Sequence, residues 1–274
     1  MIIKVKQVIS NGKNKFEITV NDTIKYWAGT PWMNLNLPLN IQNTIPCIIA
    51  QTDESICYIS SYDVAETFSN NIIPMKWAFT GSKKNHIYNI YDAQNNAIGK
   101  CYKQINGFFD SKYIIEYANY FLQVYDVSVG KTQHLPIYKD NVQIAEIVKS
   151  LAVTNNLDCY YIYLLDEYSN LETIISFFTV LFDQQKYPNF GEVAIQKEEA
   201  VIQYTYDKNN KFYDKNWINK HFNKATASSI NTQIETIRQQ NVDNIKKYAL
   251  VIIALFIVGW TILLAILAIL FFIL

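Results

Sequence analysis

Residues 249–274 read ALVIIALFIVGWTILLAILAILFFIL, 26 residues without a charged side chain. As a helix they extend about 39 Å at 1.5 Å per residue. A bilayer core about 30 Å thick needs about 20 apolar residues to cross it. A helix also satisfies its own backbone in hydrocarbon, which irregular chain cannot do. The run exceeds the usual globular helix in length. It is therefore expected to be one transmembrane helix, residues 248–274, with Tyr248 at the interface. The rest of the chain must then be something that one membrane anchor can hold.

The opening MIIKVKQVISNGK has lysines inside its apolar stretch and does not read as a signal peptide. Lys246 and Lys247 stand directly before the span, and no charged residue follows it. The positive-inside rule places them, and the chain before them, in the cytoplasm. The expectation is a single-pass, tail-anchored membrane protein with a cytoplasmic N-terminal domain. Cys47, Cys57, Cys101 and Cys159 are scattered without a CxxC pair, which suits buried thiols in a reducing compartment.

Formal net charge is zero, with 24 basic and 24 acidic residues. From Thr205 onward eight basic residues stand against four acidic ones, so this part is +4 and the part before it is −4. A neck over 188–247, with membrane-proximal Lys220, Lys224, Lys246 and Lys247, fits attraction to an anionic leaflet. It equally fits a solvated lysine-rich linker. No nucleic-acid partner is expected.

Residues 1–187 read as one β-rich domain. Phe16, Ile18 and Val20 alternate with polar neighbours, and so do Ile24, Tyr26 and Ala28. Further β-rich runs are His86–Tyr91, Ala97–Lys103, Lys112–Tyr117, Tyr120–Val129, His134–Tyr138, Val142–Val148 and Asp158–Leu165. Turn signals at Asn11-Gly12, Asn106-Gly107, Gly130 and Asp140-Asn141 separate them. Twenty tyrosines suit such strands, since the ring is buried at one end and the hydroxyl stays wet. Short strands with turns between them predict an antiparallel sandwich or barrel. Residues 29–54, with Pro31, Pro38 and Pro46, predict an irregular excursion, and Asp63–Phe68 a helical turn.

One segment departs from this pattern. Ser169 to Glu172 has the spacing of a capping box. The LETIISFFTVLF that starts at Leu171 is apolar on nearly every face. A helix apolar all round must be surrounded, yet twelve residues span only about 18 Å, too short for a bilayer. The protein itself is then the surround. The prediction is a mainly β fold: an antiparallel closed barrel around a central helix at about 170–183, carrying Ile174, Ile175, Phe177, Phe178 and Leu181.

The segments IYNIYDAQNNAIGK (Ile87–Lys100), VQIAEIVK (Val142–Lys149) and YYIYLLDEYSNLETIISFF (Tyr160–Phe178) resemble the tubby C-terminal-like superfamily, which includes phospholipid scramblases and LURP-one-related proteins. Its repeated unit is a strand ending in Asp, a short turn, and a strand carrying IG-K or IAEI-K. The likeness covers about residues 83–187. It implies a barrel of about twelve strands around a helix, and functions ranging from phosphoinositide binding to a calcium-linked membrane role.

The sequence departs from both of those chemistries. Phosphate recognition favours arginine, and the single arginine, Arg238, lies in the neck. Headgroup contact through Lys83 and Lys84 stays open beside an ordinary exposed loop. The DKNNKF at Asp207–Phe212 starts like a calcium loop, but Phe212 falls where glycine is needed and Ile218 where glutamate is needed. Three histidines without HxxxH spacing and only eight glycines give no metal site, cofactor site or phosphate loop. A Cys101–His86 pair across strands is the sole nucleophile arrangement the chain suggests. No catalytic residue is expected. In the neck Ile230, Ile234, Ile237, Asn241 and Ile245 form a short seam from about residue 228. It fits a parallel homodimer or a stalk packed on the barrel. The expected function is a non-enzymatic binding or scaffold module at the membrane, contacting lipid headgroups or a protein partner. The alternatives are a scramblase-like protein and an enzyme on the barrel.

Overall fold

A computed structural model of the chain describes residues 1–9, 15–29, 46–51, 56–73, 75–107, 110–129, 132–150, 157–187, 208–223, 230–232, 236 and 253–262. Thirteen strands carry the fold: β1 (Ile2–Ile9), β2 (Lys15–Val20), β3 (Thr23–Gly29), β4 (Pro46–Gln51), β5 (Ile56–Tyr62), β6 (Lys83–Tyr91), β7 (Ala97–Gly107), β8 (Asp110–Tyr117), β9 (Tyr120–Val124), β10 (Val127–Val129), β11 (Thr132–Lys139), β12 (Val142–Ser150) and β13 (Cys159–Leu164). They form one antiparallel sheet in the order β10-β11-β12-β13-β1-β2-β3-β4-β5-β6-β7-β8-β9. The predicted strand Tyr120–Val129 is interrupted at Tyr125-Asp126. Its two halves lie in turn along β11, with Val127–Val129 opposite Thr132–His134 and Leu122–Val124 opposite Ile137–Lys139. Counted as one, β9 and β10 leave twelve strand positions, and the sheet curls until both ends of its order reach β11.

Alternation explains the inside of the curl. In β1, Ile3, Val5 and Gln7 are buried while Lys6 is exposed. The lysines that disqualify a signal peptide are thus the outward positions of a strand. Pro46 opens β4 instead of breaking it, a position that costs the sheet no donor from a strand interior. Of the irregular excursion expected over 29–54, Gly29 belongs to β3 and Pro46–Gln51 is β4, while residues 30–45 and 52–54 lie outside the described residues.

The interior is filled by α3, which follows two short helices of the β5–β6 connection: α1 (Val64–Asn71), α2 (Lys76–Thr80) and α3 (Glu172–Lys186). Ile174, Ile175, Phe177, Phe178 and Leu181 are at most 2% exposed and join one core with residues of most strands. Tyr113 packs edge-on against Phe178 and Phe182, and the Tyr58 ring lies tilted against Phe177. Burying five such side chains contributes on the order of 10 kcal/mol. The capping box does not form. A 3-10 turn over Asp166–Leu171 runs straight into α3, so the Glu172 amide bonds Ser169 O and Leu171 is the cap residue. Glu172 instead accepts Lys25 Nζ at 2.9 Å and Tyr26 hydroxyl at 2.7 Å, tying the helix start to β3.

The two ends of the curl differ. At one end two-residue hairpins turn at Asn21-Asp22 and Asp140-Asn141, with all four φ between 49° and 66°. These are the left-handed values a tight hairpin requires. The connection 63–82, with α1 and α2, leaves from the opposite end, where α3 also finishes. Gly99 shows how closely β7 and β8 approach: a Cβ there would lie 2.3 Å from the Glu116 carbonyl oxygen.

Part of the neck is structured. A 3-10 turn (Lys208–Phe212) and α4 (Trp217–His221) lie on the outer wall. Trp217, Ile218, Phe222 and Ile230 cover Val148, Tyr161 and Tyr163, and Phe212 stacks on Tyr125 at 3.8 Å. Asn209, inside the rejected calcium motif, donates to Ser111 O at 2.8 Å and so docks the segment. Among the described residues no helix is long and apolar enough to cross a membrane. Of the terminal run, 253–262 is helical and the remainder lies outside the described residues.

Candidate functional site

The end of the curled sheet where α3 finishes gathers a set of buried polar groups. Inward positions of β12 are Ala145, Ile147 and Lys149, so the strand's own period carries a lysine into the interior. Lys149 Nζ lies 2.6 Å from Asp158 Oδ1, and both side chains are at most 3% exposed. The same ammonium sits 3.8 Å from the centre of the Tyr187 ring. Gln7 in β1 holds the Asp158 backbone, accepting its amide at 3.0 Å through Oε1. A buried ion pair survives only when close geometry replaces lost hydration, and here the two charged groups are in direct contact.

Asp183, on the last turns of α3, is fully buried beside this pair. Tyr160 hydroxyl donates to its Oδ1 at 2.6 Å. Burial first, and then the Asp158 carboxylate, push Asp183 well above the ordinary carboxylate range. Burial likewise pushes the Tyr160 phenol well above its usual value and keeps it a donor. The network continues across the sheet interior: Tyr187 hydroxyl donates to Gln133 Oε1 at 2.7 Å, Gln133 Nε2 donates to Asp126, and Asp126 pairs with Lys186. These groups fix the end of α3 to β1, β11, β12 and β13. None of them is an exposed nucleophile or base.

A second set lies under the docked neck on the outer wall. His134 Nδ1 is 2.8 Å from Glu146 Oε1, Gln143 donates to Glu146 Oε2 at 3.2 Å, and Tyr213 covers the imidazole at 4.6 Å. Burial, then Glu146, push Tyr213 up to about 12. This set belongs to the seam between the neck and the sheet.

Lys83 and Lys84 do not lie in a loop. They open β6 and reach α1, Lys83 Nζ to Asn71 Oδ1 at 3.0 Å and Lys84 Nζ to Glu66 Oε1 at 4.0 Å and over the Tyr102 ring. Lys220 pairs with Asp214 at 2.7 Å on the exposed outer side of α4. Lys224, Lys246 and Lys247 lie outside the described residues. So does the seam beyond its first residue, Ile230, which is buried against the sheet. Cys101 and His86 do not make a nucleophile pair. Cys101 points into the core, where burial and then Glu116 push its thiol far above the usual range, whereas a nucleophile needs the thiolate. Among the described residues no group of three or more His, Cys, Asp and Glu is arranged for a metal ion.

Two features were missed from sequence. The helix expected at about 170–183 continues to Lys186, with Asp183 inside it and not at its end. The signal was its position, two residues past Leu181 on a helix already known to be enclosed. Lys149 was legible from the alternation of β12. Comparison with protein-family models, with curated proteins and with solved structures finds no match.

Proposed function

We propose that the chain is a membrane-anchored, non-enzymatic binding module. It is read as a tubby-like closed barrel, threaded by α3 and held at the cytoplasmic face of a bilayer by residues 249–274. One observation carries this reading. Along 253–262, Ile253, Leu255, Phe256, Ile257, Val258, Trp260 and Ile262 are all more than half exposed, on every side of the helix. Covering a large apolar side chain contributes about 1.5–3 kcal/mol, so seven of them give on the order of 10 kcal/mol toward leaving water. The sole hydroxyl of the run, Thr261, donates to Val258 O at 2.8 Å and needs no outside partner. Such a surface matches hydrocarbon.

The three-pair ladder between β9 and β11 supports closure of the barrel. The buried ion pair and its neighbours act as fasteners of α3, which leaves binding at the outer surface as the barrel's task. Alkaline extraction of membranes carrying the full chain tests the anchor. The chain is expected to stay with the membrane, and a chain lacking 249–274 to be released. Release of the full chain would overturn the reading.

A further inference from the structure

Helix α1 is mounted inside out. Its polar residues face the barrel and its apolar residues face away. The inner row is Asp63, Glu66, Thr67, Asn70 and Asn71, at i, i+3, i+4, i+7 and i+8, one face of a helix. Each member is tied down. Asp63 Oδ1 caps the helix by accepting Glu66 N at 2.8 Å, and its Oδ2 accepts Asn89 Nδ2 at 3.0 Å. Thr67 Oγ1 accepts Ile87 N at 3.2 Å. Asn71 donates to Asn85 and accepts Lys83. Glu66 holds Lys100 at 2.6 Å, and Asn70 holds Lys76 at 3.2 Å. The outer row is Val64, Phe68 and Ile72, at i, i+4 and i+8, joined beyond the helix by Ile73, Met75 and Phe79. Exposure runs from 45% at Met75 to 84% at Phe79. A helix on a protein in water ordinarily turns the other way.

We propose that this outer face of α1 and α2 is a membrane-docking surface, seated in the headgroup region of an anionic bilayer. Three observations select lipid as the occupant. Four lysines (Lys76, Lys83, Lys84 and Lys100) against three carboxylates (Asp63, Glu66, and Glu116 beside Tyr102) leave a net positive ring behind the apolar row, the arrangement of an interfacial helix over anionic lipid. The hydroxyls at the rim turn back onto their own backbone, Ser69 to Glu66 O at 2.9 Å and Thr80 to Lys76 O at 3.0 Å and Ser82 O at 2.7 Å. They are thereby spent locally, which suits an apolar medium better than a protein partner that must be oriented. The same chain carries the exposed apolar helix 253–262, and the inference rests on that anchor reading: with the barrel already tethered, a short apolar row needs only to orient it.

The test places the photoreactive residue p-benzoylphenylalanine at position 79 of the full chain, in nanodiscs of phosphatidylcholine and phosphatidylserine. The control position is 142, since Val142 is 58% exposed at the opposite end of the barrel. Irradiation is expected to give a phospholipid adduct at 79 and none at 142. The yield at 79 should fall about fivefold in phosphatidylcholine alone, which corresponds to the attraction of about one lysine to an anionic leaflet. Adducts at 79 to a second copy or to another segment of the chain, or equal lipid adducts at 79 and 142, would overturn the proposal. Equal yields in the two lipids would overturn the role of the lysines. Failure of the anchor reads separately, as a chain released by alkaline extraction. For such a chain, labelling with added vesicles still decides the docking face.

Discussion

Replacing Lys149 by methionine isolates the ion pair that fastens α3. The aliphatic stem is kept and the ammonium is lost, leaving Asp158, 3% exposed, with no cation 2.6 Å away. A buried carboxylate stripped of its partner costs about 3–5 kcal/mol. The cation–π contact with Tyr187 is also lost, but a thioether beside the ring offsets much of it. Lys149→Met is therefore expected to lose about 3–5 kcal/mol. The assay is urea unfolding of the full chain in detergent, followed by tryptophan fluorescence. Adding Asp158→Asn should recover most of the loss. An unchanged unfolding midpoint in Lys149→Met, or no recovery in the double variant, would refute the assignment of a charged fastener.

Other outcomes follow from the same geometry. Gly99→Ala puts a methyl 2.3 Å from the Glu116 carbonyl, against backbone that cannot rotate away, so a loss of about 1–3 kcal/mol is expected in urea midpoints. Asp183 is raised in the folded state, so the folded chain binds a proton that the unfolded chain releases near the ordinary 3.8, and stability drains away as pH climbs above that value. Asp183→Asn mimics the neutral acid, and its unfolding midpoint is expected to gain on the parent between pH 5 and pH 8; a constant offset between the two would show that Asp183 is not held neutral. Proteoliposomes of the full chain should leave the dithionite-resistant plateau of labelled lipid unchanged, whereas a falling plateau would favour lipid scrambling over binding.

Period two made β2, β3 and β12 legible, and total apolarity made α3 legible, because both patterns state directly which side must leave water. The strands β4 and β5 were not legible. A proline opens the one, and Ser60 and Ser61 dilute the other. The capping box failed because spacing alone does not show that a 3-10 turn already serves the amides, or that Lys25 and Tyr26 wait for Glu172. The apolar row of α1 was visible as Val64, Phe68 and Ile72, but amphipathicity does not say which face turns inward. That is decided by the wall behind it, where Asn85, the Ile87 amide and Asn89 offer hydrogen bonds and not apolar surface. Likewise the packing of 208–223 depends on aromatic residues spread over distant strands, such as Tyr125 and Tyr163, whose adjacency only the fold creates.

The proposed membrane anchor is tested most directly by amide hydrogen exchange of the full chain in nanodiscs, read across 249–274. The account predicts an unbroken block of about 20 protected amides, the length that crosses a bilayer core. Exchange over that block at the rate of exposed chain would contradict it.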